Sequence, residues 1–134
     1  MGLLDRKYKV KKNKNLYESL RHAYEGIIYV ITRERNMHIH VSIATLVIIT
    51  GVLFQISYAE WLACLILIGS VLSLEMINTA IESVVDLITT NENPIAKVAK
   101  DASAGAVLIM AIISAFIGVV IFLPKIFDFL INIG

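Results

Sequence analysis

"SLEMINTAIESVVDLI", residues 73 to 88, begins on the last two residues of the uncharged run "WLACLILIGSVLSL" at 61 to 74. The uncharged run alone is short for a bilayer-crossing helix, which needs about 20 mostly apolar residues. The stretch after it decides the matter. Its apolar pattern continues through Met76, Ile77, Ala80, Ile81, Val84, Val85, Leu87 and Ile88. This predicts one helix to about residue 88, with Glu75, Asn78, Glu82 and Asp86 carried on it. At about 100° per residue those four fall within about 80° of one another, on one face about three turns long. An unpaired carboxylate at mid-membrane costs about 2.5–3.5 kcal/mol on insertion scales. Such a face must meet water, a cation or a partner helix.

The flanking segments set the frame. Residues 41 to 59, "VSIATLVIITGVLFQISYA", carry no charge and read as a first span. Residues 102 to 123, "ASAGAVLIMAIISAFIGVVIFL", read as a third, which Pro124 and Lys125 are expected to close. In the turn "TTNENPIAK", Asn93 suits a helix N-cap and Pro94 the first helical position. Between 16 and 31, Leu16, Leu20, Ala23, Ile27, Val30 and Ile31 form one apolar stripe, with Glu18, Arg21 and Glu25 opposite. That pattern fits an amphipathic helix lying on a membrane surface, or one packed against a partner protein. The expected fold is all-α and membrane-embedded, a single domain over 1 to 134. It comprises a basic tail at 1 to 15, a surface helix at 16 to 36, and membrane helices at about 38 to 57, 60 to 88 and 94 to 124.

Bulk composition agrees. Of the 134 residues 57% are hydrophobic, against about 45–50% in ordinary soluble domains, and mean hydropathy is +0.77. A net charge of +1 gives no reason to expect a nucleic-acid partner. The single cysteine, Cys64, excludes an intrachain disulfide and sits in an apolar run, as a small core or lipid-facing residue would. No cleavable signal peptide is expected, because no apolar run follows the basic start within the usual distance. Nine of the twelve Lys and Arg residues precede residue 37, Lys97 and Lys100 lie in the 89 to 100 turn, and the 54 to 61 turn has none. The bias of positive charge predicts a cytoplasmic N-terminus and 89 to 100 turn in the cell membrane, with Lys125 a lone exception on the outer side. The basic run 7 to 14 suits either anionic headgroups or a solvated tail.

Three readings of the acidic face compete: a polar seam between subunits, a small proton- or cation-coupled transporter, and a metal-dependent enzyme at the interface. Oxygen-rich sites with an amide and no thiol suit Mg²⁺. Two patches favour the enzyme. "RERNMHIH" (33 to 40) puts Glu34 where the surface helix gives way to the first span. "AKDASAGA" (99 to 106) puts Lys100 and Asp101 where the third begins. All lie at the level of the lower end of the acidic face, so Glu34 can meet Glu82 at a cation and Lys100 can meet phosphate. His38 and His40 read as structural or interfacial rather than as ligands, and Ala102, Gly105 and Ala106 as a close helix-packing surface. No P-loop or protein-kinase signature is present, so nucleotide chemistry here needs another scaffold.

"EMINTAIESVVDL" (75 to 87) followed by "AKDASAGAVL" (99 to 108) resembles the prokaryotic diacylglycerol kinase and undecaprenol kinase family. Its pattern is roughly E-x-x-N-S/T-A-I-E-x-x-V-D, then A-K-D-x-x-A/S-A/G-A-V-L. "TRERNMHIH" (32 to 40) resembles the Gram-positive, undecaprenol-kinase branch. The resemblance implies three transmembrane helices and a surface helix per subunit. It also implies a homotrimer with shared active sites, and transfer of the ATP γ-phosphoryl group to a lipid primary hydroxyl with Mg²⁺. Undecaprenol is the expected acceptor, with diacylglycerol the alternative. By motif position Glu75 is the implied general base, contacting the lipid together with Ala104, and Glu34 and Glu82 are the metal-binding carboxylates. The nucleotide site is implied to include Glu34, Asn78, Glu82, Asp86, Lys100 and Asp101, with Asn91, Asn93 and, in "YESLRHAYEGI" (17 to 27), His22 as looser matches.

Overall fold

The computed structural model describes residues 15 to 133, so the basic tail expected at 1 to 15 lies almost wholly outside the described residues. Four helices follow in order: α1 (Leu16–Arg33), α2 (Arg35–Leu53), α3 (Tyr58–Ile88) and α4 (Pro94–Ile133). Among the described residues there is no strand, and α2, α3 and α4 are long and apolar enough to cross a membrane. The principal packing is α3 on α4, with α2 laid against α3.

Asn15 opens α1 by accepting a hydrogen bond from the Glu18 amide at 2.9 Å. The helix stops at Arg33, and Glu34 is extended (φ −91°, ψ 122°) before α2 begins at Arg35. The surface helix expected to run to 36 therefore ends three residues earlier. Neither Gly nor Pro marks this corner. Val30 and Met37, buried on either side of it, hold it in place.

The connection from α2 to α3 is a Schellman turn. The Ile56 amide donates to the Gly51 carbonyl at 3.1 Å and the Gln55 amide to that of Val52 at 3.2 Å, with Gln55 left-handed at φ 48°. Ser57 and Glu60 then form a reciprocal capping box at the start of α3. Glu60 also takes an ion pair from Lys125 at 3.1 Å. Lys125, the one expected exception to the charge bias, thus has a local partner. Ile56, Cys64 and Ile121 make a buried cluster just inside this end.

At the opposite end Asn93 caps α4, its side-chain oxygen accepting from the amides of Ile95 (2.9 Å) and Ala96 (3.3 Å). The helix does not close at Pro124 but runs on to Ile133. Proline costs an interior helix one backbone hydrogen bond. Two anchors hold the helix through that defect: the Lys125–Glu60 pair, and Phe129 packed edge-on against Phe54 with ring centres 5.8 Å apart.

Candidate active site

The α3 stretch 75 to 86 places its polar residues at successive depths. Glu75 is 2% exposed and Asn78 4%, although both lie on a helix whose other faces are apolar. Helix geometry puts Glu82 roughly 10 Å and Asp86 roughly 16 Å along the axis from Glu75, and exposure rises in that order. The face runs from a dry end at Glu75 to a wet end at Asp86.

Each member has a partner. Asn78 Nδ2 donates to Glu82 Oε1 at 3.0 Å. That donation leaves Asn78 Oδ1 as an acceptor, and the Ser103 hydroxyl of α4 lies 2.6 Å from it. The same hydroxyl lies 2.9 Å from the Lys100 carbonyl, so its one proton serves one acceptor at a time. Lys100 Nζ reaches across from α4 to Asp86 Oδ1 at 2.9 Å. Two α4 side chains, three residues apart, thus clamp the acidic face at two levels.

α2 closes the dry end. His40 Nε2 lies 4.0 Å from Glu75 Oε2, and the Asn36 side chain also faces that carboxylate. Glu34 and Glu82 both lie within electrostatic reach of Glu75. Three carboxylates from two elements therefore share one region. A cavity of about 190 Å³ opens beside Glu75, lined by Asn36, His40 and Asn78 on one side and by Ala104, Val107 and Leu108 on the other. Among the described residues no three His, Cys, Asp or Glu side chains gather as a ready-made metal-ligand set. Mg²⁺ is commonly held by one or two carboxylates together with substrate phosphates. The donor chemistry of Glu34 and Glu82 fits that mode.

The structure does not bring every expected residue to this face. Asp101 pairs with Lys97 on the exposed side of α4. Asn93 uses its side-chain oxygen to cap α4, and Asn91 is tied to the Thr89 hydroxyl through its backbone. His22 is on exposed α1, bonded to Glu25 at 3.1 Å. That hydrogen bond, with Arg21 beside it, holds the Glu25 carboxyl below its usual range. Ala102 and Ala106 are exposed, and a Cβ added at Gly105 would meet nothing. The close α4–α3 contact uses a different face, that of Ser103, Val107 and Ala111, because Ser103 bonds Asn78 and Val107 is buried. Asn36 and Ser103 escaped the sequence reading, which took His40 as structural or interfacial. Asn36 and His40 are four apart on α2, a spacing that puts both on one face and was the available signal.

The sequence profile of the family described as "Prokaryotic diacylglycerol kinase" matches residues 21 to 122. The "Undecaprenol kinase" of Bacillus subtilis (strain 168) is 50% identical over 109 residues, covering 81% of this chain and 89% of that protein. The "Diacylglycerol kinase" of Synechocystis sp. is 35% identical over 123 residues (87% and 67%), and that of Helicobacter pylori (strain J99) 32% over 111 residues (81% and 85%). The profile covers the acidic face, the α2 residues that close it and the α4 residues that clamp it, so this chain belongs to the prokaryotic diacylglycerol kinase family of membrane lipid kinases.

Proposed function

We propose that this protein transfers the γ-phosphoryl group of ATP to the primary hydroxyl of undecaprenol, at the inner face of the cell membrane. The observation that carries the reading is the graded α3 face, dry at Glu75 and wet at Asp86, in a chain that belongs to a lipid kinase family. A lipid alcohol reaches such a face from the bilayer and a nucleotide reaches it from water. Undecaprenol is preferred to diacylglycerol because the relative bearing that name is 50% identical, against 35% and 32% for two diacylglycerol kinases.

Phosphoryl transfer depends mainly on positioning and on neutralising phosphate charge. Glu75 is assigned as general base. The alcohol oxygen forms a bond to the γ-phosphorus, the bond to the β,γ-bridging oxygen breaks, the alcohol proton passes to the Glu75 carboxylate, and ADP leaves. Glu34 and Glu82 would hold Mg²⁺, which supplies charge neutralisation along the phosphates. Asn78 fixes Glu82 by its 3.0 Å hydrogen bond and Lys100 fixes Asp86. Asp101, Asn91, Asn93 and His22 are assigned to the outer rim of the nucleotide site, and Ala104 to the lipid side of Glu75. The whole chain is read as one domain with its N-terminus in the cytoplasm and α1 on the membrane surface. The family resemblance supports a homotrimer with shared sites.

Purified full-length protein in mixed micelles, given γ-labelled ATP, should label undecaprenol in preference to diacylglycerol, and chelation of Mg²⁺ should stop it. Label in diacylglycerol alone would shift the assignment to the alternative acceptor. Ion-driven flux in proteoliposomes without ATP consumption would replace it with a transporter.

A further inference from the structure

The chemistry proposed above needs something to hold the alcohol, and Glu75 alone supplies only an acceptor. His40 stands at the junction of two spaces. It lines the cavity beside Glu75, among the polar side chains Asn36 and Asn78. It also lines an apolar groove of about 500 Å³ between α2, α3 and α4, walled by Val47, Leu67, Val71, Ala115 and Phe122. A hydrocarbon chain lying in that groove would end in a hydroxyl beside the His40 ring.

The ring is poised for this. It is 17% exposed, against 3% for the Glu75 side chain, and Nε2 lies 4.0 Å from Glu75 Oε2. That separation is too long for a direct hydrogen bond. It leaves room for one oxygen about 2.8 Å from each group. No hydrogen bond within the described chain engages either ring nitrogen. Asn36, one turn earlier on the same α2 face, also lies beside the Glu75 carboxylate.

The geometry points to His40 as the group that binds the acceptor hydroxyl. Its Nε2–H donates to the alcohol oxygen while the alcohol O–H donates to Glu75 Oε2. The bond orients the O–H for proton transfer and leaves a lone pair for the γ-phosphorus. This role rests on the lipid kinase reading. It gives a role to a residue at the end of "TRERNMHIH" to which the family resemblance assigned none.

The test compares His40→Leu, which keeps bulk without a donor, with His40→Gln, which restores an N–H. Both are made in the full-length protein and measured in undecaprenol-containing micelles with ATP and Mg²⁺. His40→Leu should raise KM for the lipid and lower kcat/KM for it on the order of tenfold, the size of one hydrogen bond. KM for ATP should stay within about twofold. His40→Gln should recover a substantial part of the loss. Equal losses in the two variants, an equal rise in KM for ATP, or no loss in His40→Leu would each overturn the assignment and leave the kinase reading intact. A parent protein that labels no lipid would overturn both.

Discussion

Glu75 and Asn78 are buried polar side chains on a largely apolar helix, and for Asn78 two hydrogen bonds explain how it is tolerated. An unpaired polar group in an apolar medium costs several kcal/mol. Asn78 avoids that cost by donating to Glu82 and accepting from Ser103. Ser103→Ala removes one donor, and Asn78 Oδ1 then has no hydrogen-bond partner among the described residues. Lipid kinase activity should fall between about threefold and tenfold, the range of one net hydrogen bond, and the thermal midpoint in detergent should fall with it, because a buried acceptor left unpaired costs about 1–3 kcal/mol. An unchanged midpoint and unchanged activity would show that the Ser103 hydroxyl gives its proton to the Lys100 carbonyl instead. The acids themselves were legible, because three carboxylates and an amide at helical spacing in an apolar run have few structural excuses. Ser103 and His40 were not, since a lone Ser or His on a membrane helix looks the same whether or not a neighbour reaches it.

Helix ends separate what is written locally from what packing imposes. The α4 start follows from Asn93–Pro94, and the α3 start from Ser57 and Glu60, each by capping chemistry the residues announce. The run of α4 past Pro124 follows from contacts distant in sequence, with Glu60 and Phe54, and the α1–α2 corner sits between Val30 and Met37, whose burial comes from packing and not from any turn residue. Gly51 ties these themes together. It accepts the Schellman hydrogen bond from Ile56, and a Cβ there would sit 2.9 Å from the Trp61 ring and 3.0 Å from Ile56 Cδ1. Ring and isoleucine are held in the packed cluster at the α2–α3 end, so neither can give freely. Gly51→Ala should destabilise the α2–α3 turn by about 1–3 kcal/mol, read as a lower thermal midpoint in detergent. A midpoint unchanged or raised would mean the turn relaxes around the methyl group.

The two ends of the molecule are built for different work. One is closed by the Glu60–Lys125 pair, the Ile56–Cys64–Ile121 cluster and the Phe54–Phe129 contact. The other carries Asp86, Lys100 and the capped turn, with half-open polar groups that water and phosphate can reach. Between them α2 and α4 flank α3, and their apolar outer faces are largely exposed, as lipid contact requires. The order of spans was readable from charge-free runs, whereas the depth of each acid within the bundle needed the packed helices. On this account the reaction happens where the dry end of the α3 face receives an alcohol. Transfer of label from ATP to undecaprenol by Glu75→Gln protein, with nucleotide affinity measured on the same preparation, tests that claim most directly. Turnover should fall by about 10²-fold or more, as loss of a general base implies, while the Kd for Mg-ATP stays within about twofold of the parent. A variant that binds nucleotide normally and still labels the lipid at a rate near the parent's would contradict the account.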